Sequence, residues 1–88
     1  MTTEVTKPKI LIIEDSRETS LVMTRLLEAE YEIAVTERGE VGLSLTKSFQ
    51  PDLVLLDIGL PDIDGYEVCE KIKDDPDTKN ISVVFITS

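Results

Sequence analysis

Two apolar runs that end on carboxylates constrain this chain more than any other feature. Residues 53–57 read Leu-Val-Leu-Leu-Asp, and residues 10–15 read Ile-Leu-Ile-Ile-Glu-Asp. Neither run alternates with polar residues, so each predicts a strand buried on both faces, as in a parallel sheet covered by helices. In open sheets of that kind the ligand crevice lies beyond the carboxyl ends of the strands, where the winding direction reverses. If the two strands are neighbours, Glu14, Asp15 and Asp57 converge there. Carboxylates crowded into one crevice repel each other strongly. They call for a cation, and the oxygen donors suit a hard divalent ion such as Mg²⁺.

The remaining pattern alternates strands with single helices. The first strand covers about residues 9–13, and Ser16 can cap the helix that follows. That helix runs to about Glu28, with Val22, Met23, Leu26 and Leu27 at spacings that put them on one face. A second strand covers Glu32–Thr36. A second helix runs from about Gly39 to Phe49, weakened by the internal Gly42 and broken by Gln50-Pro51-Asp52. After Asp57 comes a loop rich in breakers, Ile58-Gly59-Leu60-Pro61-Asp62-Ile63-Asp64-Gly65. A third helix follows from Tyr66 to Lys73 and stops before Pro76. The last strand is Ser82–Thr87. Such alternation predicts parallel βαβ units with right-handed crossovers.

At this point the chain resembles the receiver domain of two-component response regulators. The resemblance is carried by Glu14-Asp15-Ser16, Leu56-Asp57, Leu60-Pro61, Asp64-Gly65-Tyr66-Glu67-Val68-Cys69, Asp75-Pro76 and Phe85-Ile86-Thr87, in the family's order and spacing. It implies a flavodoxin-like doubly wound sheet of strand order 2-1-3-4. It also implies that Asp57 accepts a phosphoryl group from a sensor histidine kinase in a His-Asp phosphorelay. Asp15, Asp57 and the Gly59 carbonyl would bind Mg²⁺ directly, and Glu14 through a water. Thr87 would donate its hydroxyl to a phosphoryl oxygen, although a plain β-former near a fraying terminus is an equal alternative.

The family's fourth helix, fifth strand, fifth helix and strand-five lysine have no counterpart before Ser88. The expectation is therefore a fragment or a truncated product, with residues 1–8 a disordered lead and 9–88 a partial receiver. Phosphorylation is expected to be impaired without that lysine. The alternative function is a non-phosphorylated binding or oligomerisation module. In it Val83, Val84, Phe85 and Ile86 would sit at an open strand edge and pair with a second copy.

Other readings of these residues fail or are plainer. Taking Asp62 and Asp64 as calcium-loop positions three and five puts Leu60 at position one and Lys71 at twelve. They read instead as a loop residue and a helix N-cap. A haloacid-dehalogenase site needs an aspartate two residues after the nucleophile, where this chain has Gly59. Cys69 reads as core packing rather than a reactive thiol. The net charge is −9, from 18 acidic and 9 basic residues, which argues against nucleic-acid binding by this segment. One cysteine gives no disulfide and suits a reducing cytoplasm. No apolar run is long enough to span a membrane, and Met1–Lys7 has no apolar stretch of the secretory kind.

Overall fold

A computed structural model describes residues 6–86. Within them the order is β1 (Lys9–Ile13), α1 (Arg17–Leu27), β2 (Glu32–Thr36), α2 (Gly39–Phe49), β3 (Leu53–Asp57), α3 (Gly65–Asp74) and β4 (Ser82–Ile86). The four strands form one parallel sheet in the order β2-β1-β3-β4. This is the flavodoxin-like arrangement the sequence predicts. Thr87, one of the residues assigned to the site, lies outside the described residues.

The register decides which side chains share a face. Leu11 pairs with Val54 and Ile13 with Leu56, while Val54 faces Val83 and Leu56 faces Phe85. These residues point to one side, where they form the core with Ile63 and with Val68 and Ile72 of α3. Leu43, Leu45 and Phe49 of α2 pack against that cluster. Ile10 and Ile12 alternate with this set and are buried on the other side. Winding reverses after β2, so right-handed crossovers place α1 on the face opposite α2 and α3.

Gly42 does more than weaken α2. A Cβ there would stand 2.9 Å from Ile13 Cγ1. Its absence lets the helix lie directly against β1, and that packing outweighs a helix propensity loss of about 1 kcal/mol. At the end of α2, Gln50 takes a left-handed conformation with φ 50°. Its side-chain amide donates to the Lys47 carbonyl at 3.0 Å, which satisfies an otherwise open helix end. Asp52 then accepts from the Lys9 amide at 2.7 Å and ties the start of β3 to the start of β1.

The apolar face of α1 and its buried face coincide only in part. Ser20 is its buried residue, with Met23, Thr24 and Leu27 half-buried along the same side. Val22 and Leu26 are exposed, at 56% and 76%. The inward stripe follows the spacing i, i+3, i+4, i+7 from Ser20, whose small polar side chain did not advertise itself as buried. Each residue step turns a helix by about 100°, so Leu26 lies well off the line through Leu27. No described helix is long and apolar enough to cross a membrane.

Candidate functional site

The pairing of β1 with β3 brings the two acidic strand ends together, as expected. Glu14, Asp15 and Asp57 each offer a carboxylate oxygen, and these oxygens all lie within 4.8 Å of one another. Each is positioned by its element. The Glu14 amide donates to the Thr36 carbonyl at 3.0 Å, which continues the β1–β2 pairing past the strand end. Ser16 caps α1, its hydroxyl accepting from the Thr19 amide at 3.3 Å. Asp15 stands between that pairing and that cap, exposed to solvent. Asp57 closes β3, and its Oδ1 accepts from the Gly59 amide at 3.4 Å.

Burial makes the cluster costly. Glu14 is 2% exposed and Asp57 6%. Two unit charges about 4 Å apart repel by about 4 kcal/mol at an effective dielectric of about 20. Near neutral pH, taking up a proton competes with bearing that repulsion. The Glu14 carboxyl is accordingly pushed up to about 7, first by its burial and then by the facing Asp57 and the charge of Asp15. Its Oε2 is sealed from solvent with no hydrogen-bond partner. An orphaned carboxylate oxygen on a member of a carboxylate cluster is the arrangement a cation would complete. The donor set is all oxygen, so the residues present fit Mg²⁺.

The loop after Asp57 is tightly closed. The Gly65 amide donates to the Ile58 carbonyl at 2.9 Å. A Cβ at Gly65 would stand 2.5 Å from the Asp57 carbonyl oxygen, so the close return of the chain to β3 requires glycine. Asp64 caps α3 by accepting from the Tyr66 amide at 2.8 Å, as expected. Asp62 is more than a loop residue. Its carboxylate accepts from the Gly39 amide at 2.8 Å and the Glu40 amide at 3.0 Å, and so caps α2 from outside that helix. Local sequence gives no signal for this, because the partners are 22 and 23 positions away.

A separate cavity of about 240 Å³ lies between α2 and α3, bordered by Lys47, Lys71, Asp75 and Thr78. Its Lys47, Asp75 and Thr78 side chains are already engaged. Lys47 pairs with Asp75 at 3.0 Å, and the Thr78 hydroxyl donates to the Ile72 carbonyl at 2.7 Å. The acidic crevice, with its unpartnered buried oxygen, is the chemically open site.

Comparison with known proteins points the same way. Residues 10–88 match the family described as the response regulator receiver domain. The chain is 38% identical over 81 residues to the response regulator PleD of Caulobacter vibrioides, covering 91% of this chain and 18% of that protein. The N-terminal domain of a response regulator receiver protein from Methanoculleus marisnigri superposes with a TM-score of 0.83 at 38% identity. That match covers 88% of this chain and 63% of the other. The Mn²⁺-bound form of the response regulator Rcp1 superposes with a TM-score of 0.81 at 32% identity, covering 91% of this chain and 65% of the other. The chain thus spans less than two thirds of the length of each.

Proposed function

The chain belongs to the response regulator receiver domain family, and from that membership we propose that Asp57 accepts a phosphoryl group from a sensor histidine kinase. The observation that carries this reading is the position of Asp57. It is nearly buried at the end of β3, within 4.8 Å of Glu14 and Asp15. An Asp57 oxygen attacks the phosphorus of a phosphohistidine. The P–N bond breaks, a P–O bond forms, and the imidazole nitrogen leaves. Such a transfer depends on in-line positioning and charge neutralisation more than on acid–base chemistry.

Asp15, Asp57 and the Gly59 carbonyl would hold Mg²⁺ directly, with Glu14 behind a water. The bound ion supplies positive charge for the phosphoryl oxygens. The protein's own part is to hold the Asp57 carboxylate against rotation and to keep its surroundings dry. The Gly59 amide bond to Oδ1 serves the first purpose. Thr87 is proposed to donate its hydroxyl to a phosphoryl oxygen. The chain acts as a phosphoacceptor that assists its own modification rather than as an enzyme. Residues 9–88 form the receiver portion, and its one cysteine is in keeping with the cytoplasm.

Incubation with acetyl phosphate and Mg²⁺, followed by mass spectrometry of peptides, tests the assignment. The expected result is a slow, low-yield gain of a phosphoryl group on Asp57 that depends on Mg²⁺ and disappears in Asp57→Asn. Modification at Asp62 or Asp64 instead would refute it. Titration calorimetry should show weaker Mg²⁺ binding by Asp15→Asn than by the wild type, and equal affinity would remove Asp15 from the site.

A second reading concerns β4. Among the described residues it pairs with β3 alone, and Val84 is 49% exposed. Val83, Val84, Phe85 and Ile86 carry no charge, proline or bulge to discourage pairing. Self-association of the 88-residue polypeptide through this edge is the corresponding proposal. Light scattering after gel filtration tests it, since Val84→Lys should return an oligomer to monomer. A monomeric wild type at high concentration would end the idea.

A further inference from the structure

The β3–α3 loop is held at both its base and its tip. At the base, the Gly65 amide donates to the Ile58 carbonyl at 2.9 Å. At the tip, Asp62 reaches out of the loop to the first two amides of α2, those of Gly39 and Glu40. The residue at the α2 N-cap, Arg38, makes no side-chain cap bond. The helix is therefore capped by the loop that follows Asp57. The two amides hold the Asp62 carboxyl below the usual carboxylate range, the Glu40 bond contributing most. Apolar contacts repeat the connection. A Cβ at Gly39 would stand 3.2 Å from Ile63 Cγ2 and 3.3 Å from Leu60 Cδ1. Side chains of the loop thus already fill the space over the first turn of α2.

Gly59 lies between these anchors, one residue after Ile58 and three before Asp62. Nothing comes within 4 Å of where its Cβ would be, so no side-chain packing fixes it. The loop around it must do so. We propose that Asp62 is a positioning residue for the Asp57 site, fastening the loop to the N-terminus of α2 and thereby holding the Gly59 backbone beside the carboxylate cluster. This rests on the reading of that cluster as a cation and phosphoryl site. Without Asp62 the loop tip is released, and an arriving cation must order the loop as it binds, which lowers its apparent affinity.

Asp62→Ala, Asp62→Asn and Asp75→Ala should be compared with the wild type. Asp75 caps its own turn by accepting from the Asp77 amide at 2.9 Å and pairs with Lys47, away from the crevice. It serves as a control for lost capping and lost stability. Two readouts are needed. Hydrogen exchange at the Gly65 amide reports loop closure with no metal present. Titration calorimetry with Mg²⁺ reports the site. Asp62→Ala should speed exchange at Gly65 and weaken Mg²⁺ binding by about tenfold, the usual scale for a residue that orients a ligand. Asp62→Asn, which keeps one acceptor oxygen, should recover part of both, and Asp75→Ala should change neither. Unchanged exchange at Gly65, or unchanged Mg²⁺ affinity, in Asp62→Ala overturns the proposal. So does an equal loss of affinity in Asp75→Ala. A wild type that takes up no Mg²⁺ sinks the reading of the site itself, and this inference with it, whatever the exchange data show.

Discussion

Leu56 and Asp57 are consecutive residues of β3, and both are nearly sealed from solvent, at 0% and 6% exposure. Leu56 enters a layer with Leu11, Ile13, Val54, Val68 and Ile72, where every added neighbour removes apolar surface from water. Asp57 enters a crevice with Glu14 and Asp15, where the added neighbours bring like charges together. One step along a strand separates a region that stabilises the fold from one the fold must support. The crevice is tolerable because the layer beneath it is well packed. It is also tolerable because Glu14 can hold a proton when nothing positive is present. Binding competence at the strand ends is thus held in reserve as repulsion that a proton or a cation can relieve.

The contrast can be broken most severely from the apolar side. Leu56→Ala should lower the free energy of unfolding by about 3 kcal/mol, because a fully buried leucine leaves a cavity between strand and helix. Urea unfolding measures it. A loss near zero would mean that this layer does not support the site above it.

On the acidic side the sign should reverse. Glu14→Gln removes a charge from the cluster, so in a chelator at pH 8 it should gain roughly 1–2 kcal/mol of stability. Saturating Mg²⁺ should shrink or invert that gain, because the ion stabilises the wild type by its preference for the native state. A variant less stable than the wild type in chelator would show that the crevice is not strained.

The pH dependence sharpens the same point. The Glu14 carboxyl sits at about 7 in the fold against an ordinary value of 4.5. Below pH 4.5 both folded and unfolded chains hold this proton, and the associated stabilisation is complete. As pH rises the unfolded carboxyl ionises first, so the contribution shrinks and is gone above about 7. Metal-free wild type should therefore lose roughly 1–3 kcal/mol between pH 5 and pH 7.5 from this group. Glu14→Gln should lack that slope. Parallel pH profiles for the two proteins would contradict the assignment.

Gly42→Ala should have the smallest effect. The added methyl meets Ile13, an overpacking cost of about 1–3 kcal/mol. Helix propensity returns about 1 kcal/mol. A net loss of about 1 kcal/mol is expected. A stabilised variant would show that α2 can move off β1.

Much of this was legible in the chain itself. The short unbroken apolar runs at residues 10–13 and 53–56 read as strands covered on both faces, and the carboxylates that end them marked the crevice. The element bounds followed from periodicity and breakers, which act over a few residues. The resemblance to receivers supplied the strand order that the structure bears out. Three matters waited for the tertiary structure. The inward line of α1 runs through Ser20, because what covers a helix is decided by the sheet beneath it and not by its most apolar residues. The raised Glu14 carboxyl needed a measure of how completely β1 and β3 seal it. Asp62 caps a helix 22 and 23 positions before it, a contact that exists only once the β3–α3 loop folds over α2. Local pattern reports the torsions and the faces each segment prefers. Desolvation and long-range hydrogen bonds depend on which segments meet, and in this protein they set the charge state of Glu14 and the cap of α2.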